Sequence, residues 1–84
     1  MSRYRVNIAK SNTDIGVGLP YTVVAQILPE SDTENSNDVI KLFRTDLSRR
    51  YSQQDISCHI DKYTEIATIR FRNEKDCADF LMRY

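Results

Sequence analysis

The stretch DISCHIDKYTEIATIRFRNEKDCADFLMRY, residues Asp55 to Tyr84, decides the fold. Within it Ala67, Ile69 and Phe71 alternate with Ile66, Thr68, Arg70 and Arg72, the period of a half-buried strand. Just before, Ile56, Cys58 and Ile60 alternate with Ser57, His59 and Asp61, so two strands are joined by a tight turn. Asn73 stands where an N-cap belongs, and Asp76 lies in the first turn, near the positive helix end. Cys77, Phe80, Leu81 and Tyr84 then follow at helical spacing and form one apolar stripe. A strand pair followed by a helix that packs on it is the expected unit.

Upstream, Tyr4, Val6 and Ile8 alternate with Arg3, Arg5 and Asn7, which predicts an opening strand over residues 3–9. Residues 10–20, with Ser11, Asn12, Asp14, Gly16, Gly18 and Pro20, have the composition of a loop. A second strand is predicted over 21–28. Both its faces are partly apolar, so it belongs in the middle of the sheet, and Pro29 ends it. Residues 30–37 are polar and acidic. A helix is predicted from about Asp38 to Tyr51, capped by Asn37 or Ser36, with Val39, Ile40, Phe43, Leu47 and Tyr51 inward and Arg49 and Arg50 in its last turn.

The expected class is α+β: one domain, residues 1–84, a ββαββα two-layer sandwich with a four-stranded antiparallel sheet and both helices on one face. Without its first strand the order is βαββα, five of the six elements of a ferredoxin-like sandwich. The opening strand would fill the place of the missing last one, giving a permuted ferredoxin-like sheet of order first, second, fourth, third.

Composition excludes more than it names. With 40% hydrophobic and 29% charged residues the chain is ordinary globular material. Twelve basic residues balance twelve acidic ones, so no global charge draws nucleic acid or an anionic membrane. Locally the charge is uneven: residues 11–40 carry five acids and no base, while residues 1–10 carry Arg3, Arg5 and Lys10 and no acid. Two cysteines are few for a small secreted domain, and both Cys58 and Cys77 fall on apolar faces, as free core thiols do. No leader pattern precedes the first strand and no apolar run approaches a membrane span. A reduced, cytoplasmic protein is expected.

Two family resemblances follow from the layout. Leu28-Pro29, the helix ending near Phe43, Ala67-Thr68-Ile69-Arg70-Phe71 and Asp76-Cys77-Ala78 resemble the RNA-recognition motif. The positions where that family stacks bases on aromatics are Ile66 and Thr68 here, and neither stacks a base. The βαββα order with Leu47-Ser48-Arg49-Arg50 is similar to the DNA-damage-inducible protein I family of recombinase regulators. That family ends in a long acidic helix that contacts its partner; the last helix here is short and mixed in charge.

No catalytic constellation can be placed, so no enzyme, metal or cofactor is expected. His59 and Cys58 are neighbours on a strand and point to opposite faces, which rules out a nucleophile–base pair. Gly16-Val17-Gly18 lacks the third glycine and the strand-to-helix context of a phosphate loop. Counted from Asp32, the sixth and twelfth positions of a calcium hand are Asn37 and Phe43 instead of glycine and glutamate.

The sheet face turned away from the helices is the expected site. It would show an apolar centre of Val24, Leu28 and Ile66 ringed by Arg3, Arg5, His59, Arg70 and Arg72, the layout of a protein interface. The expected function is that of a small regulatory or adaptor protein acting by protein–protein contact, with a homodimer through the sheets as one form of it. The alternative is a nucleic-acid-binding module using Arg3, Arg5, Arg70 and Arg72 as phosphate contacts.

Overall fold

The computed structural model describes residues 4–30 and 35–84. Its elements are β1 (Tyr4–Thr13), β2 (Tyr21–Pro29), α1 (Ser36–Arg50), β3 (Ile56–Ile60), β4 (Ile66–Phe71) and α2 (Glu74–Arg83). The strands form one antiparallel sheet of order β1-β2-β4-β3, with β2 inside it as its two apolar faces required. Both β2 and β3 run antiparallel to β4, so α1 connects two parallel strands across the one between them.

One face of the sheet and both helices close the core. Val23, Ala25, Ile27, Ala67, Ile69 and Phe71 are buried from the sheet, and Val39, Phe43, Leu47, Cys77 and Phe80 from the helices. Six aromatic rings run through it in a chain. Tyr4 meets Phe43 edge-on at 5.6 Å between centroids, Phe43 meets Phe80 at 6.2 Å, and Phe80 meets Tyr84 at 4.8 Å and Phe71 at 5.6 Å. Tyr51 closes edge-on against Phe71 at 5.5 Å. These are the offset and T-shaped contacts that aromatic quadrupoles favour.

Three boundaries differ from the sequence reading. The opening strand runs to Thr13 instead of residue 9, because the register shifts between Ile8 and Lys10 and the inward parity passes from Tyr4, Val6 and Ile8 to Ser11 and Thr13. Pro29 is the last residue of β2 rather than the first beyond it. The cap of α1 is Asn35, whose side-chain oxygen accepts the Asn37 N–H at 2.8 Å, and not Asn37 or Ser36.

Asn73 does occupy the cap position of α2, though its side chain makes no capping hydrogen bond. Between β3 and β4 the Asp61 carboxylate accepts the Tyr63 N–H at 2.8 Å, an Asx turn. Glu65 takes a left-handed φ of 62°, and its carbonyl accepts the Ile27 N–H at 2.9 Å.

Candidate functional site

The open face is set by register. Residues paired across an antiparallel sheet share a face, so four rows cross it. Asn12, Thr22, Arg70 and Ser57 make the first row, and Lys10, Val24, Thr68 and His59 the second. Asn7, Gln26 and Ile66 make the third, and Arg5 with Leu28 the fourth. Every charged side chain among these strand residues is basic, although the chain as a whole is neutral.

Beside the first two rows the face borders an open cleft. The 14–20 loop between β1 and β2 is pinned at its base by the Asp14 N–H donating to the Pro20 carbonyl at 2.7 Å. It bends at Gly16, whose φ of 98° suits glycine far better than any residue with a side chain. Val17, Gly18 and Leu19 then line one side of a cavity of about 560 Å³, with Ser57, His59, Thr68 and Arg70 on the other. Ile15 and Val17 are exposed on this loop.

The expected site residues divide. Arg5, His59 and Arg70 are exposed on the open face, Ile66 is 42% exposed, and Val24 and Leu28 are half-buried. Ile66 is the diagonal neighbour of both Val24 and Leu28, so the three surround Gln26 instead of forming an unbroken patch. Arg3 lies outside the described residues, as do Asp32 and Glu34 of the acidic loop. Arg72 follows the end of β4 and is engaged: its guanidinium donates to the Gln54 carbonyl at 2.9 Å and lies 3.6 Å from the Asp55 carboxylate. Lys10 and Asn12 were missed. The bulge turns them onto the open face, and a reading that stopped the strand at residue 9 treated them as loop.

Cys58 faces the helices, half-buried, while His59 is exposed on the other side, as the strand geometry required. Both cysteines are free, and burial pushes each thiol above its ordinary pKa, with Arg44 opposing this at Cys58. Such thiols are poor nucleophiles. Among the described residues no group of three His, Cys, Asp or Glu side chains could hold a metal ion. On the helix side Tyr4 donates to Asp46, and Tyr51 donates to Asp79, which also accepts from Arg83 at 3.0 Å. These pairs tie elements together. No helix of the described residues is long and apolar enough to cross a membrane.

Comparison with known protein families, with characterised proteins and with solved structures finds no match for this chain.

Proposed function

We propose that the chain is a small non-enzymatic regulatory or adaptor protein of the cytoplasm that binds an acidic protein partner through its open sheet face. The observation that carries this reading is the sorting of charge. Arg5, Lys10 and Arg70 are the only formal charges on that face among the described strand residues, and they surround partly exposed Val24, Leu28 and Ile66. An apolar centre with a rim of one sign favours a partner of the opposite sign. It disfavours a homodimer of two such faces, because like charges would then meet. Two free cysteines fit a reducing compartment. The sheet order supports a permuted ferredoxin-like sandwich as the architecture, with β1 in the place of that fold's last strand.

Nucleic acid is the second reading, favoured by the same uniform charge. Against it, no Phe, Tyr or Trp lies on the open face among the described strand residues, which leaves His59 as the one ring there to stack a base.

The two are separated by capturing partners from the native host and then titrating the purified partner. Val24→Asp with Ile66→Asp should abolish protein binding, since desolvated central residues dominate such contacts. Lys10→Ala with Arg70→Ala should weaken it modestly, with a shallow salt dependence. A steep salt slope together with complete loss in the alanine pair would establish phosphate binding instead. Circular dichroism of each variant verifies that it is folded.

A further inference from the structure

We propose that the open cleft beside the 14–20 loop is an anion subsite, which receives a carboxylate or phosphate group carried next to an apolar side chain on the partner protein. The inference rests on the protein-contact reading and names the chemical group that the reading leaves open.

Its floor is a square of four side chains from two paired strands. Ser57 pairs with Arg70, and His59 pairs with Thr68. Cross-strand neighbours are about 5 Å apart and same-face neighbours along a strand about 7 Å, so all four can reach one group at the centre. Together they offer a guanidinium fork, an imidazole and two hydroxyls, and no carboxylate lines the cavity.

None of the four side chains has a hydrogen-bond or ion-pair partner among the described residues. The contrast with Arg72 is informative. Two residues along, an arginine has Asp55 and the Gln54 carbonyl built in as partners, while Arg70 has none. A planar fork left open beside hydroxyl donors matches the oxygens of a carboxylate or phosphate.

The opposite wall fixes the rest of the ligand. Val17 and Leu19 supply aliphatic surface, and Val17 is otherwise half exposed to water. A cavity of about 560 Å³ is larger than one side chain needs and suits a segment of two or three residues. The Val17 and Leu19 wall gives a base no ring to stack on, and the floor adds no Phe, Tyr or Trp, so a protein segment is favoured over an oligonucleotide.

The test is a titration of the isotope-labelled chain followed by backbone amide shifts at low ionic strength, about 0.05 M. The probes are the blocked tripeptides Leu-Glu-Leu, Leu-phosphoserine-Leu and Leu-Gln-Leu, inorganic phosphate, and an oligothymidylate. At least one anionic tripeptide should saturate amides of residues 15–19, 57–59 and 68–70, and the glutamine tripeptide should bind about tenfold more weakly. Which anionic tripeptide binds more tightly identifies the source as carboxylate or phosphate.

Arg70→Met should weaken the better probe about tenfold, and Arg70→Lys, which keeps the charge but loses the fork, should recover only part. Arg49→Ala, on the helix layer, should leave binding unchanged. Equal binding of the glutamine tripeptide, shifts confined to other residues, or no saturation by any tripeptide would each overturn the subsite. So would inorganic phosphate binding as tightly as the peptides, which marks a free-anion site, or tighter and steeply salt-dependent binding of the oligothymidylate.

Failure of this inference is distinct from failure of the wider reading. Partner loss in Val24→Asp with Ile66→Asp, without any effect of Arg70→Met on the probes, removes the subsite and keeps the sheet face. The reverse pattern keeps the subsite and removes the sheet face.

Discussion

Phe71 connects the two halves of the aromatic chain, touching Tyr51 on one side and Phe80 on the other, and it is fully buried. Phe71→Ala removes both contacts and leaves a void that rigid neighbours cannot fill. A loss of about 3–5 kcal/mol is expected in urea unfolding, a large share of a small domain's stability; a loss under about 1 kcal/mol would mean the site collapses freely. The tyrosines allow a second test. Burial first, and then the hydrogen bonds to Asp46 and Asp79, push the Tyr4 and Tyr51 phenols well above the ordinary value of 10.0. The folded chain therefore keeps two protons that the unfolded chain releases near pH 10, so this stabilisation is complete below about pH 10 and is lost as pH rises beyond it. Tyr4→Phe with Tyr51→Phe should cost about 1 kcal/mol per hydrogen bond at pH 8 and flatten the alkaline decline relative to the wild type. Parallel declines above pH 10 would show that the folded phenols ionise normally.

At the scale of elements, the two helix starts differ in a way that mutation can read. Asn35 accepts the Asn37 N–H, whereas the Asn73 side chain reaches only towards Asp76, at 3.4 Å. Asn35→Ala should cost about 1 kcal/mol and Asn73→Ala less than half of that in thermal unfolding; equal losses would show that the cap bond at Asn35 contributes nothing. The same elements explain what could be read in advance. Residues 55–84 were legible because period 2 changes to period 3.6 at Asn73, with no interruption on either side. The opening strand was only half legible. One extra residue between Ile8 and Lys10 reverses the inward parity, and alternation then looks like the end of a strand. That reversal also hid Lys10 and Asn12 from the candidate face. The cavity was not legible at all, because which face a loop of Gly16 and Gly18 bends over depends on tertiary contacts and not on any spacing in the chain.

Across the whole molecule, protection should follow the sheet order, and the two cysteines report it. Cys77 is buried in α2, beside the β1–β2 end of the sheet, while Cys58 is half-buried on β3, the edge strand paired only with β4. Burial raises both thiol pKa values, so native labelling by a thiol reagent at pH 8 should be slow at each compared with the unfolded chain. The routes to exposure differ, however. Releasing β3 breaks one ladder, whereas exposing Cys77 requires α2 to leave a core shared with β2 and β4. Cys58 should therefore label faster than Cys77, and only its rate should be insensitive to Phe71→Ala at low denaturant. Amide exchange should agree, with residues 23–27 and 67–70 slowest and 15–19 fastest. Equal labelling rates at the two thiols, both following global stability, would mean that β3 and α2 open only together and that the molecule has a single cooperative unit.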